Sequence, residues 1–144
     1  MSILYNISIR IYIVAIHIVS FFNSKAKLWI KGRKDIFQKL AEAIKGEQNI
    51  VWFHCASLGE FEQGKPIIEA YKHKYPTHKI LLTFFSPSGL EIRRNYEGAD
   101  WVFYLPADTR SNARRFIKIV KPIKVVFIKY EFWLNYMSEL KKQN

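Results

Sequence analysis

The sequence predicts an α/β fold, in which a parallel β-sheet carries helices on both faces and an N-terminal helix comes before it. Short apolar runs alternate with helical stretches four times over after residue 33. The runs are continuously apolar, which is typical of strands buried on both faces of a sheet. A separate apolar segment occupies residues 3–22. The length of 144 residues fits one globular domain behind that segment.

Charge and composition restrict the possible partners. The chain has 23 Lys and Arg residues against 12 Asp and Glu residues, a formal net charge of +11. Residues 23–46 hold seven basic and two acidic residues, and residues 110–129 hold seven basic residues and no acidic one. Such localised charge indicates an anionic partner: nucleic acid, a phosphorylated substrate or anionic lipid. The 49% apolar content excludes a disordered chain, and the single cysteine, Cys55, excludes an intrachain disulfide.

The N-terminal apolar segment predicts a membrane anchor. Fifteen of the twenty residues in 3–22 are apolar, and a membrane span needs about 20. Asn6, Arg10 and His17 interrupt the segment, but Arg10 lies away from its centre and can reach the interface. Basic residues follow at once, so the positive-inside rule places the remainder of the chain in the cytoplasm. A helix lying in the interface and an ordinary buried helix or strand of a soluble domain stay as alternatives.

The predicted division of the chain follows from this segment. Residues 1–31 form the anchor and a basic juxtamembrane stretch, and residues 32–144 form the α/β domain. The spacing of apolar residues predicts a helix over about 34–45. Pro66 suits the first turn of the helix that follows the first strand. Four strands are predicted, each followed by a helix: Ile50–Phe53, Lys79–Phe84, Trp101–Leu105 and Ile123–Ile128.

The loops after the four strands form the predicted site, because ligands of parallel sheets bind at the carboxyl ends of the strands. The sharpest feature there is Ser57-Leu58-Gly59-Glu60. Gly59 allows a tight turn between strand and helix, and Glu60 falls at the start of that helix. A carboxylate in this place could act as a general base once its pKa is tuned. The alternative is a carboxylate that the helix macrodipole merely favours, with a lowered pKa.

The second loop contains Ser86-Pro87-Ser88-Gly89. Its hydroxyl groups and backbone N–H groups could cradle a phosphate or a sugar oxygen. Capping of the helix by Ser86 or Ser88 is the alternative. The chain has no Gly-Lys-Ser/Thr loop and no GxGxxG sequence, so no nicotinamide or flavin cofactor is indicated. Metal-ligand spacing is also missing, and no metal site is predicted.

The fourth loop places a second carboxylate at the same edge. Glu131 could face Glu60 across that edge, or it could pair with Lys129 or Arg110. The basic residues of 110–129 spread around more than one face of a helix, which is typical of a solvated surface. No recognised nucleic-acid module is present, so a nucleic-acid binder rests on charge alone.

Five motifs in register carry a resemblance to a known family. In this order and spacing they are similar to motifs in the N-terminal half of the 3-deoxy-D-manno-octulosonic acid (Kdo) transferases. The five motifs are spread along nearly the whole chain. The five are Lys31-Gly32-Arg33, Ser57-Leu58-Gly59-Glu60, Ser86-Pro87-Ser88-Gly89, Tyr104-Leu105-Pro106-Ala107-Asp108 and Glu131-Phe132-Trp133-Leu134-Asn135.

The resemblance implies a glycosyltransferase of the two-domain GT-B class, with this chain as its N-terminal, Rossmann-like, acceptor-binding half. That family transfers Kdo from CMP-Kdo to a lipid A precursor in lipopolysaccharide biosynthesis, and it needs no metal or other cofactor. The site would lie on the cytoplasmic face of the inner membrane. The family's general base is the motif glutamate, which implies that role for Glu60. The implied substrate-binding residues are Ser57, Gly59, Ser86, Ser88, Gly89, Asp108 and Glu131.

The same resemblance sets the expected partners. The lipid A precursor would bind this half, CMP-Kdo would bind the C-terminal donor domain, and an anionic membrane surface would hold the anchor, with no nucleic acid involved. The rival interpretation is a non-catalytic, membrane-associated α/β module that binds anionic lipid through its basic segments.

The chain departs from the family pattern in three places. It stops at Asn144, where the donor domain of the family would follow, so no transferase activity is expected from this chain alone. The fourth strand ends Lys129-Tyr130-Glu131 where the family usually has Glu-Thr-Glu. Leu134 stands where the family has proline.

Overall fold

The computed structural model of the protein describes residues 2–129 and 131–143. Within that part of the chain, helices and strands follow the predicted β-α alternation after an N-terminal helical region. Their order is α1 (Ser2–Val19), α2 (Ser24–Gly32), α3 (Ile36–Ala43), β1 (Ile50–Cys55), α4 (Leu58–Lys74), β2 (Lys79–Phe84), α5 (Pro87–Arg93), β3 (Trp101–Tyr104), α6 (Arg110–Val120), β4 (Lys124–Phe127) and α7 (Leu134–Lys141).

The four strands form one parallel sheet in the order β3-β2-β1-β4. In its register Ile50 lies opposite Lys79, and Val51 lies opposite Lys124. The chain therefore winds outward from β1 through β2 to β3 and then returns to add β4 on the other side of β1. This reversal makes the β1–β4 boundary the topological switch point, where open α/β sheets bind their ligands.

Helices cover both faces of the sheet, as predicted. Successive residues of a strand point to opposite faces, so Val51 and Phe53 of β1 enter one core layer and Trp52 enters the other. The first layer contains Phe61 and Ile68 of α4. The second layer is closed by α3, α6 and α7, through Leu40, Ile44, Ala113, Phe116, Ile117, Val120 and Tyr136. The parallel sheet with helices on both faces is thus confirmed.

The basic helix α6 has the solvated outer face that its sequence indicates. Thr109 caps it by accepting a hydrogen bond of 3.2 Å from the backbone N–H of Asn112. Phe116 and Val120 are buried against the sheet, whereas Arg114 and Lys118 are exposed. The cationic side chains of 110–129 therefore lie mainly on the surface.

The helix after β1 begins earlier than the proline suggested. α4 starts at Leu58, so Pro66 lies in the helix interior and not in its first turn. Pro66 is exposed, and the carbonyl group that loses its hydrogen-bond donor there can be solvated. The loop after β1 is consequently short, and Glu60 falls in the first turn of α4.

The N-terminal helices lie along the carboxyl edge of the sheet. Tyr5 of α1 contacts Asp108 in the loop after β3, and Tyr12 contacts Phe85 in the loop after β2. Among the described residues, no single helix has both the length and the apolar character of a membrane span; only α1 and α2 taken together, bent by 120°, meet those criteria. The anchor over 1–31 stays a prediction.

Candidate active site at the carboxyl edge

Glu60 is held at the start of α4 by the preceding residues. Ser57 is the N-cap residue of α4, and its hydroxyl group donates a hydrogen bond to a carboxylate oxygen of Glu60. This hydrogen bond lowers the pKa of Glu60, and the charge of Lys129 adds to the effect. Glu60 is therefore ionised at neutral pH but is a weaker proton acceptor than an ordinary glutamate, which is also what the helix-dipole alternative expects.

Gly59 does not provide the tight turn that the sequence suggested. It lies inside the first turn of α4, and its φ is outside the left-handed region that only glycine adopts freely. A Cβ atom at this position would meet only the Oγ of Ser57, at 3.8 Å. Gly59 is exposed, so it leaves open surface beside Glu60. As a substrate-binding residue it stays a prediction.

Glu131 reaches the same edge from the loop after β4, across the switch point. Its carboxylate Oε2 lies 3.8 Å from Nε2 of His54, the last but one residue of β1. Burial raises the pKa of Glu131, and the negative charge of Glu60 raises it further. The two carboxylates therefore influence each other, as expected if they face one crevice. Tyr130, beside Glu131, lies outside the described residues.

The Ser86 loop is organised mainly by helix capping. Ser86 accepts a hydrogen bond of 3.3 Å from the backbone N–H of Ser88, and their hydroxyl oxygens lie 3.0 Å apart. The backbone N–H of Ser86 donates to the carbonyl oxygen of Ala56 at 2.7 Å, which joins this loop to the one after β1. Ser86 is therefore a helix cap, as the alternative interpretation expected, whereas the hydroxyl group of Ser88 is exposed to solvent.

Gly89 is required by close packing. The residue is buried, and a Cβ atom there would overlap the ring of Phe84 at the end of β2. Its backbone N–H donates to the carbonyl oxygen of Ser86 at 3.3 Å. In this structure Gly89 positions α5 on the strand, and direct contact with a substrate stays a prediction.

Asp108 is buried beneath the site. Its carboxylate accepts hydrogen bonds from the backbone N–H groups of Asn135 and Tyr136, at 3.1 and 3.0 Å, and so caps α7. The hydroxyl group of Tyr5 donates a third, at 2.6 Å. Because these three donors bind the carboxylate, Asp108 stabilises the loops and helices behind the site. A role of Asp108 in substrate binding stays a prediction.

The structural importance of Arg33 was not predicted from the sequence, where the residue was noted only as part of the Lys31-Gly32-Arg33 motif. Its guanidinium group donates to the carbonyl oxygens of Leu105 and Phe85, each at 2.8 Å. It also stacks over the rings of Trp29, at 3.8 Å, and Tyr104, at 4.7 Å. Burial lowers the pKa of Arg33 to about 9, so the group stays charged at neutral pH. Arg33 thereby joins the loops after β2 and β3.

The edge thus brings Ser57, Glu60, Glu131 and the Ser86 loop together, with Asp108 and Gly89 behind them. Among residues 2–129 and 131–143, no group of three or more His, Cys, Asp and Glu side chains could hold a metal ion. The fold and the site define a Rossmann-like α/β domain with two carboxylates at its switch point.

The chain belongs to the Kdo transferase family. The family model described as 3-deoxy-D-manno-octulosonic-acid transferase (kdotransferase) matches residues 31–144. The resemblance drawn from the five motifs is therefore confirmed, and the family is one of glycosyltransferases.

Relatives named 3-deoxy-D-manno-octulosonic acid transferase agree with this assignment. The protein of Aquifex aeolicus is 34% identical over 93 residues, which is 64% of this chain and 26% of that protein. The protein of Chlamydia trachomatis serovar D is 33% identical over 102 residues, 69% of this chain and 23% of its own length. The Haemophilus influenzae protein is 30% identical over 95 residues, 65% and 22% of the two chains. The chain thus spans about a quarter of the length of these relatives.

Proposed function

We propose that residues 1–144 form the acceptor-binding part of a glycosyltransferase that transfers Kdo from CMP-Kdo to a lipid A precursor in lipopolysaccharide biosynthesis. The observation that carries the proposal is the ionised carboxylate of Glu60, held by Ser57 at the switch point of the sheet. The family match over 31–144 supports the same assignment.

In the proposed reaction Glu60 is the general base. Its carboxylate takes the proton of the acceptor hydroxyl group while that oxygen attacks the anomeric carbon of Kdo. The new C–O bond forms as the bond from that carbon to the CMP phosphate oxygen breaks, and CMP leaves with the bonding electrons. Because entry of both substrates would exclude water from the crevice, the pKa of Glu60 rises from its low value at the moment when it must accept a proton.

The other loop residues bind the acceptor in this proposal. Ser57 orients Glu60, while Ser88 and Glu131 offer polar groups toward the sugar from the neighbouring loops. Clustered arginine and lysine side chains suit the phosphate groups of a phosphorylated glycolipid. Residues 1–144 are expected not to transfer Kdo alone, because they match only about a quarter of the length of the relatives that are named Kdo transferases.

The proposed location is the cytoplasmic face of the inner membrane. The outer side of α1 and the turn after it are apolar and exposed, and Phe21 and Phe22 at that turn are 83% and 91% exposed. Exposed lysines follow at once, at Lys25, Lys27 and Lys31. Such a combination favours an anionic membrane surface, where each basic residue adds about 1 kcal/mol. A non-catalytic module that binds anionic lipid through the same surface is the alternative function.

The role of Glu60 is tested by Kdo transfer in a joined protein, in which residues 1–144 precede the remaining C-terminal part of the Aquifex aeolicus relative. Glu60→Gln removes the base, and we expect a loss of about 100-fold or more in kcat. Glu62→Gln removes an exposed carboxylate of the same helix and is the control, with its rate unchanged. A Glu60→Gln protein that keeps the parental rate would contradict the proposed role.

A further inference from the structure

His54 has a fully buried imidazole ring at the candidate site, and its Nε2 faces the carboxylate of Glu131. The residue is 0% exposed, and within residues 2–129 and 131–143 its Nε2 has no hydrogen-bond partner. The carboxylate Oε2 of Glu131 lies 3.8 Å from this nitrogen. Burial lowers the pKa of His54 to about 3, so the ring is neutral and the contact is not an ion pair at neutral pH. Each ring nitrogen must then be either a donor or an acceptor.

The opposite ring nitrogen can take either role without moving. Nδ1 lies 3.1 Å from the backbone carbonyl oxygen of Thr83, which can only accept a hydrogen bond, and 2.9 Å from the Thr83 hydroxyl oxygen, which can donate one. That hydroxyl oxygen already accepts the indole N–H of Trp52 at 2.7 Å. Its own proton is therefore directed either to Nδ1 or to the carbonyl oxygen of Phe53, at 3.4 Å.

We propose that His54 is the positioning residue of Glu131: a side-chain shift of about 1 Å from the observed 3.8 Å separation brings the unpartnered Nε2 into hydrogen-bond contact with the carboxyl group, and one proton then lies between them in both protonation states of Glu131. When Glu131 is neutral, its O–H donates to Nε2, and the ring proton is on Nδ1 and donates to the Thr83 carbonyl oxygen. When Glu131 is ionised, the ring proton is on Nε2 and donates to the carboxylate, while Nδ1 accepts from the Thr83 hydroxyl group. Between these states the carboxyl proton passes to Nε2 and the Nδ1 proton is released to solvent, so one proton leaves the pair and His54 stays neutral.

The pair gives the two carboxylates of the edge different chemistry. Glu60 is held ionised by Ser57 and by the nearby charge of Lys129. Burial first, and then the negative charge of Glu60, raise the pKa of Glu131, so this carboxyl group binds a proton more tightly than Glu60 does. The two environments thus push the pKa values of the two carboxyl groups apart. The inference rests on the proposed function, since it assigns Glu131 to orient the substrate while Glu60 accepts the proton.

In the part of the chain that the structure describes, Arg33, Cys55 and Trp133 also act on the pair. Arg33 faces His54 and disfavours a charged ring, and the thiol group of Cys55, whose pKa burial raises, lies near both glutamates. The indole ring of Trp133 packs edge-on against His54, with centroids 5.8 Å apart. Its interaction with Glu131 opposes the rise in the pKa of that carboxyl group. None of these groups replaces Glu131 as the partner that Nε2 faces.

The test is nitrogen NMR of the His54 ring in the 144-residue chain, with carbon NMR of the glutamate carboxyl groups. As the pH rises through the pKa of Glu131, we expect the protonated ring nitrogen to change from Nδ1 to Nε2. That pKa lies above the ordinary glutamate value of about 4.3. Glu131→Gln, a change in a partly exposed loop, should remove this pH dependence. Glu60→Gln should move its midpoint to lower pH, because a like charge is removed, and the control Glu62→Gln should leave it unchanged.

Two results would overturn the inference. One is a ring tautomer that stays fixed while Glu131 titrates, and the other is a pH dependence that survives in Glu131→Gln. In the joined protein the pair should also appear as a limb of the kcat–pH profile that Glu131→Gln abolishes; an unchanged profile would reduce the pair to a structural contact. The NMR experiment contains no substrate, so its failure is distinguishable from a failure of the proposed transfer.

Discussion

The hydroxyl group of Tyr5 donates a 2.6 Å hydrogen bond to the carboxylate of Asp108, a residue 103 positions further along the chain. The same carboxylate caps α7 through the backbone N–H groups of Asn135 and Tyr136. One buried group therefore joins the N-terminal helix, the loop after β3 and the last helix. Asn6, one of the side chains that interrupt the apolar N-terminal segment, also accepts a 3.1 Å hydrogen bond from the side-chain amide of Asn135 and so helps to bind the segment to the domain.

Tyr5→Phe should destabilise the chain because Asp108 then keeps a buried oxygen without that donor. The expected loss in the free energy of unfolding is about 1–3 kcal/mol, measured by urea unfolding. Tyr12→Phe is the control, since the ring contacts of Tyr12 with Trp29 and Phe85 are kept. Equal stabilities of the two variants would show that the Tyr5–Asp108 bond adds nothing.

The buried His54 predicts a loss of stability in acid. Its pKa is about 3 in the folded chain, below the value of about 6.5 expected when unfolded. The unfolded chain therefore binds the proton first, and the stability that depends on the neutral ring is lost as pH falls from about 6.5 toward 3. The slope is about 1.4 kcal/mol per pH unit.

Urea unfolding between those pH values measures this slope. His54→Gln should show a shallower slope than the parent chain, whereas the exposed His73→Gln should not change it. A parent chain with the same slope as His54→Gln would contradict the assignment of a buried, neutral imidazole.

Gly89→Ala and Gly59→Ala should differ sharply, although each glycine follows a strand at the start of a helix. A Cβ atom at Gly89 overlaps the Phe84 ring, so we expect a loss of about 1–3 kcal/mol from overpacking. At Gly59 the nearest atom is 3.8 Å away, and alanine should be neutral or slightly stabilising in the helix. Thermal unfolding compares the two, and similar losses would refute the packing argument.

Arg33→Lys should destabilise the carboxyl edge although it conserves charge. Lysine cannot donate simultaneously to the Leu105 and Phe85 carbonyl oxygens in the planar geometry of a guanidinium group. Because the two carbonyl oxygens are left with weaker hydrogen-bond donors, we expect a loss of about 2 kcal/mol or more in the free energy of unfolding. Arg115→Lys, on an exposed residue that lies over the Phe37 ring, is the control with a small effect. A loss no larger than that of the control would contradict this role.

The sheet was predictable because its signal is local. Continuous apolar runs such as Ile50–Phe53 fit strands buried on both faces, and the motif loops follow from where those runs end. The start of α4 was harder to predict, because Pro66 suggested a first turn while the helix begins eight residues earlier, at Leu58. Local propensity is a weak guide where tertiary packing decides.

The supporting residues of the site were not predictable from spacing. The bond from Tyr5 to Asp108 and the bonds from Arg33 to the Phe85 and Leu105 carbonyl oxygens join segments far apart in the chain, and no local pattern encodes them. Gly89 was expected among the substrate-binding residues because the family resemblance implies it, and the structure shows that the space beside it is filled by the Phe84 ring. For His54 a signal was present, since it is a polar residue within a buried apolar strand.

We propose above that residues 1–144 hold the lipid acceptor in Kdo transfer. The most direct test is binding of the 144-residue chain to nanodiscs that contain a lipid A precursor, compared with phosphatidylglycerol nanodiscs of equal charge. We predict binding to the precursor at least about 10-fold tighter, a difference of about 1.4 kcal/mol. Equal binding to both would contradict the claim and leave a module that recognises only an anionic membrane surface.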